Sequence, residues 1–187
     1  MFVRYLVVLL SLFVLDTGAF AKEIGDVNLP DKIEISGKTL LLNGAGYRTK
    51  WFVKVYVGGL YLTGPINDPR QIIDMDEPMG LKLHIVYDGL TGKKMTDAMD
   101  EGFLNSTNGN TDSISKKIAE FNSYFAEKIN ENDIFDIFYT PGQGVSVTKN
   151  GTAQGNIEGI DFKKAVFGIW LCDKPADKKL KTAILGK

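Results

Sequence analysis

The chain has 187 residues, 44% of them hydrophobic, a formal net charge of −1, one cysteine and one histidine. A balanced charge leaves no electrostatic footprint for nucleic acid. One cysteine and one histidine exclude an internal disulfide, a thiolate site and a histidine-rich metal site.

Met1 to Arg4 give a short basic start, Tyr5 to Leu15 an apolar run, and Ala19-Phe20-Ala21 a small-residue cleavage pattern. This reads as a secretory signal over residues 1–21. The run is well short of the ~20 residues that span a bilayer. The expectation is a periplasmic or secreted protein without a stable membrane anchor in its mature form. Residues 22–187 fit one domain with a single core.

Ile33-Glu34-Ile35 and Leu40-Leu41-Leu42 read as two strands joined at Ser36-Gly37. Gly44-Ala45-Gly46 reads as a turn that leaves Arg48 at a loop edge. Trp51 to Leu62 reads as one long strand, partly apolar on both sides and therefore central in a sheet. Gly58 and Gly59 within it suggest a bulge or the close approach of a helix or ligand. Leu81 to Tyr87 alternates, with Leu81, Leu83, Ile85 and Tyr87 facing inward.

Thr91 to Phe103 can be helical. A stronger helix, capped at Asp112 or Ser113, places Ile114, Ile118, Phe121, Phe125 and Ile129 on one face. Ile134 to Thr140 and Gly144 to Thr148 are strands about the Pro141-Gly142 turn, and Asn150-Gly151 starts a further hairpin. Asp161 caps a helix with Ala165, Val166, Ile169 and Trp170 on its apolar side, and Asp177 caps a last helix ending at Gly186. Strands, helices, a hairpin meander and helices again predict an α+β domain: one large antiparallel sheet packed by helices on one face.

His84 lies on the less apolar side of its strand and reads as a surface group. Asp74, Asp76 and Glu77 lack the spacing of a calcium loop. Gly44 and Gly46 do not begin a dinucleotide fingerprint, because Thr49 stands where the third glycine belongs. No cofactor or metal is expected. Arg48 and Tyr56 remain. On one straight strand they stand ~26 Å apart, at ~3.3 Å per residue. They share a site only if the chain reverses at Trp51-Phe52, a pair with none of the usual turn residues. On the residues alone, an exposed Arg48 with a packed Tyr56 and a shared site both stand open.

Three segments carry a resemblance. They are Leu42 to Lys50, Phe52 to Leu62, and Phe162 through Ile169-Trp170-Leu171 to Pro175 with Leu185-Gly186. Together they resemble the chalcone isomerase-like family, in its small exported bacterial branch. That resemblance implies an antiparallel sheet packed by helices with a ligand cleft between. The family holds plant enzymes that close a chalcone to a flavanone, and non-catalytic members that bind fatty acids. Its arginine matches Arg48. The enzymes carry threonine at the position of Tyr56, where the fatty-acid binders have tyrosine. The polar groups the enzymes place on the helix after Thr-Gly fall here on Met95, Ala98 and Gly102.

The resemblance thus implies a non-catalytic exported protein that binds a fatty acid or similar apolar carboxylate. Arg48 and Tyr56 hold the head, and Met95 and Met99 line an adaptable pocket. An isomerase or intramolecular lyase using Arg48, and a scaffold with a closed cleft, are the alternatives.

Overall fold

The computed structural model describes residues 21–187; the signal read at residues 1–21 lies, but for Ala21, outside the described residues. A two-stranded ribbon, β1 (Ala21–Ile24) and β2 (Val27–Pro30), opens the chain. The main sheet follows: β3 (Lys32–Ile35), β4 (Lys38–Lys50), β5 (Val53–Leu62), β6 (Met79–Ile85), β7 (Ile134–Thr140), β8 (Gly144–Lys149) and β9 (Thr152–Ile157). It runs in sequence order and is antiparallel throughout. Helix α1 (Pro69–Asp74) precedes β6. Helices α2 (Gly92–Ser106) and α3 (Ser115–Ser123) form the long crossover between β6 and β7. Helices α4 (Ile160–Leu171) and α5 (Lys178–Ile184) close the chain.

The expected α+β architecture is present, with the helices on one face of the sheet. Residues of α2, α3 and α4 pack on β5–β8 around Phe103, Phe121, Phe125, Phe135 and Phe162. Rings in this cluster meet 4.9–5.8 Å apart, centroid to centroid, at the separations aromatic pairs favour. Helix α4 is buried on nearly all sides, since it lies among α1, α2 and the sheet. Opposite faces of a strand alternate, and β5 is covered on both. Tyr56 and Leu60 belong to the helix-side core. On the other side the β1–β2 ribbon lies over Val57 and Gly59, and the Tyr61 hydroxyl donates to the Pro30 carbonyl at 3.0 Å.

Four sequence readings are corrected. Gly44-Ala45-Gly46 is no turn but the middle of β4. Its glycines make room for α5: a Cβ on Gly44 would overlap the Ala183 carbonyl oxygen, and one on Gly46 would sit 2.6 Å from the Ala183 Cβ. The apolar run from Trp51 is a strand only from Val53, because Trp51 and Phe52 form the hairpin turn between β4 and β5. Tyr87 lies beyond the end of β6 and is exposed. Phe125 and Ile129 are buried as expected, yet α3 stops at Ser123 and they pack from the following loop.

Candidate functional site

The register of β4 and β5 sets the site. Arg48 and Tyr56 are cross-strand partners, followed by Thr49 with Lys54 and Lys50 with Val53. The count skips Val55, so a β-bulge stands beside Arg48. A bulge re-aims a side chain: here Val55 joins Tyr56 in the helix-side core instead of facing away. Of the two arrangements open to Arg48 and Tyr56, the structure shows the shared one. The guanidinium carbon lies 5.6 Å from the centre of the Tyr56 ring.

Arg48 is only 8% exposed. Among the described residues, no carboxylate lies within ion-pair distance of it, and no side-chain or backbone acceptor takes its protons. Asp177 acts on the same corner, as its effect on Tyr56 shows. Its oxygens are engaged elsewhere: Oδ1 accepts from the Lys179 and Leu180 amides at the start of α5, and Oδ2 from the Thr49 amide. A buried guanidinium without an anion is an expensive arrangement.

Tyr56 is 2% exposed. Its hydroxyl oxygen accepts from the Trp170 indole N–H at 2.8 Å. Burial pushes its pKa up; the Arg48 charge and the Trp170 hydrogen bond pull it back down, and Asp177 adds to the rise. The net shift is upward, so the phenol keeps its proton at neutral pH. That proton has no acceptor among the described residues. Trp170 was visible in the sequence only as an apolar helix residue. The clue to its second role is that a buried indole N–H needs a partner.

Two cavities meet at Arg48. The outer one is a groove of about 280 Å³, walled by Arg48, Val53, Val55, Tyr87 and Leu90, with Lys50, Trp51 and Lys94 along its rim. The inner one is lined by Arg48, Tyr56, Met95, Ala98, Met99 and Trp170, with Ile169 and Ala176 behind. It measures about 10 Å³, room for about one water at most. Met95 and Met99 line this inner cavity beside Arg48 and Tyr56. Gly102 does not line it; a Cβ there would press 2.6 Å from the Ile169 Cγ2. None of the residues lining the inner cavity is a carboxylate, histidine or lysine.

The polar groups set aside in the sequence lie apart from this corner. His84 Nε2 is 3.3 Å from the Asn132 side-chain oxygen. Asp74 pairs with Lys164 at 2.8 Å, and Asp76 accepts from the Tyr139 hydroxyl at 2.5 Å.

Sequence comparison now bears on this geometry. The profile of a family described as chalcone isomerase-like matches residues 21–186. The chain belongs to the chalcone isomerase-like family. No curated protein sequence matches it. Among solved structures it is similar to the crystal structure of a fatty-acid binding protein of Arabidopsis thaliana. The TM-score is 0.70 at 20% identity, over 85% of this chain and 91% of that one. At that identity the likeness establishes the shared fold.

Proposed function

We propose that this chalcone isomerase-like protein is a non-catalytic carrier for a fatty acid or a similar apolar carboxylate. The observation that carries the reading is the pairing of a buried Arg48 with a Tyr56 hydroxyl, the guanidinium having no anion and the phenol proton no acceptor among the described residues. Both groups wait for an acceptor with two oxygens. A carboxylate meets the guanidinium and the phenol with charge-assisted hydrogen bonds. The tail runs along Val53, Val55 and Leu90 in the outer groove, and each buried methylene adds about 0.8 kcal/mol. Longer tails enter beneath α2 as Met95 and Met99 repack, which unbranched thioethers do at low cost.

The inner wall holds no carboxylate, histidine or lysine, and burial raises the pKa of its one phenol, Tyr56, which supports binding over turnover. So does the fatty-acid binding protein of the same fold. The signal read at residues 1–21 supports work in a compartment outside the cytoplasm, and N-terminal sequencing of the exported protein, expected to start at Lys22, tests that part.

Calorimetric titration of delipidated protein with decanoate and with methyl decanoate tests the main claim. The acid is expected to bind at least about tenfold tighter than the ester, since one charge-assisted interaction is at stake. Equal binding of acid and ester refutes the reading.

A further inference from the structure

The β4–β5 turn is built from the wrong residues for a turn. Two-residue hairpin turns need positive φ and favour Asn-Gly or Asp-Gly. Here Trp51 sits at φ 61° and Phe52 at φ 116°. Bulky side chains avoid that region and persist there only under constraint. Neither ring repays the strain by packing: Trp51 is 84% exposed and Phe52 fully exposed. Val53 and Tyr87, also exposed, stand on the same side, sharing the groove wall with Trp51. The largest apolar side chains left in water thus gather at one tip, and that tip is the mouth of the Arg48 groove.

The charge around the tip differs from that of the whole molecule. Residues 48–55 contain Arg48, Lys50 and Lys54 and no acid, in a chain whose net charge is −1. Across the groove, Lys94 donates to the Gly89 carbonyl and leans over the Tyr87 ring, while Lys93 is paired with Asp97. Asp88 is the one carboxylate in the facing segment 87–94. Lys54 stands over the Tyr47 ring at 4.1 Å, and exposed tryptophan and phenylalanine flanked in the hairpin by Lys50 and Lys54 suit one surface above others. Tryptophan favours the interface between headgroups and hydrocarbon, and lysines beside it meet anionic headgroups. Among the described residues no helix is long and apolar enough to cross a membrane.

We propose that the β4–β5 hairpin docks reversibly on an anionic phospholipid bilayer, seating Trp51 and Phe52 at its interface so that the Arg48 groove opens against the lipid. The docking stands on the tip itself. Its purpose, loading or unloading an acyl carboxylate, rests on the function proposed above.

The chain has two tryptophans, and Trp170 is buried, so a change in emission on adding vesicles reports Trp51. Vesicles of phosphatidylglycerol and phosphatidylcholine are expected to shift that emission to the blue, and pure phosphatidylcholine to do so more weakly. Phe52→Gly keeps the turn, because glycine accepts φ 116°, and removes the ring. It should lower partitioning into anionic vesicles by about tenfold while decanoate affinity without vesicles stays unchanged. Lys54→Gln should cost about fivefold on anionic vesicles and nothing on neutral ones.

Absence of a blue shift with anionic vesicles, or equal partitioning by Phe52→Gly, overturns the docking. So does a shift without vesicles that grows with protein concentration, which assigns the tip to a second copy. Failed docking with intact decanoate binding leaves the carrier function standing; docking without decanoate binding refutes the carrier function alone.

Discussion

Replacing Arg48 with methionine separates a ligand group from a structural one. Methionine keeps an unbranched, flexible stem, is shorter and carries no charge. Arg48 is 8% exposed and has no anionic partner among the described residues, so its removal takes away a desolvation cost and breaks no ion pair among them, giving up only its contact with the Tyr56 ring. The open groove hydrates one side of the guanidinium and reduces that cost. We therefore expect Arg48→Met to be as stable as the parent or up to about 1 kcal/mol more stable, well inside the several kcal/mol of a fully buried ion. Binding should move the other way. A hydrogen bond to a charged group contributes about 1.5–3 kcal/mol, so decanoate affinity should fall by about 10- to 150-fold. Urea denaturation of the delipidated protein and calorimetric titration measure the two quantities on the same samples. If the variant loses about 3 kcal/mol or more of stability, the cost of breaking a buried pair, and binds decanoate as before, Arg48 is a structural residue and the argument fails.

Tyr56→Phe should weaken decanoate binding by about 1 kcal/mol and also destabilise the fold by about 1–3 kcal/mol, because the buried Trp170 N–H loses its acceptor; the same two measurements check this. Gly44→Ala should cost about 1–3 kcal/mol in thermal unfolding, since the new methyl group meets backbone atoms of Ala183, Ile184 and Gly186 that α5 cannot easily move. Lys163 is fully buried and donates to the carbonyls of Ile72, Ile73 and Met75 at the end of α1. Burial brings its pKa down to about 8, with the Lys164 charge adding to the fall. Between pH 8 and about 10.4 the unfolded chain therefore binds a proton that the folded one has released. Stability should rise over that window and be lost again as pH falls through 8. Above pH 10 the sign reverses, because burial and the carboxylates of Glu120 and Asp76 hold Tyr124 and Tyr139 up at about 12. Urea titrations across pH 7–11 should show the rise in the parent and not in Lys163→Met.

The sequence carried most of the sheet, because β3, β6, β7 and β8 alternate and their turns use Ser-Gly, Pro-Gly and Asn-Gly. It hid the hairpin that makes the site. Trp51-Phe52 has strand composition, and only the pairing of Arg48 with Tyr56 shows it to be a turn. The glycines of β4 resemble a loop for a similar reason: they answer to α5, more than 130 positions away in the chain, and local pattern contains no trace of it. Asn43 is a further case. It stands at a second bulge in β4, where its side chain donates to the Ile184 and Ile66 carbonyls and accepts from the Ile66 amide. A lone asparagine between leucine and glycine gives no hint of that clip. The ribbon β1–β2 is missed because its four-residue strands are too short to establish a period.

The indole of Trp170 has a consequence for protons. By donating to the Tyr56 oxygen it engages one of that oxygen's acceptor positions and leaves the corner rich in donors: arginine has no acceptor, and the phenol proton has no partner among the described residues. Such a corner favours the ionised form of an acid, which brings a negative charge and two accepting oxygens, over the protonated form, whose carbonyl alone is a good acceptor. A fatty acid in a hydrocarbon layer is held neutral by the same desolvation that raises any buried carboxyl. On the proposed function and docking, its passage from bilayer to Arg48 is an ionisation as well as a transfer, and one proton is left behind in the water. Loading of the proposed carrier then becomes a function of pH, favoured in an alkaline medium and reversed in an acid one. A pH-indicator dye in weakly buffered solution would register that proton as vesicle-borne acid moves onto the protein.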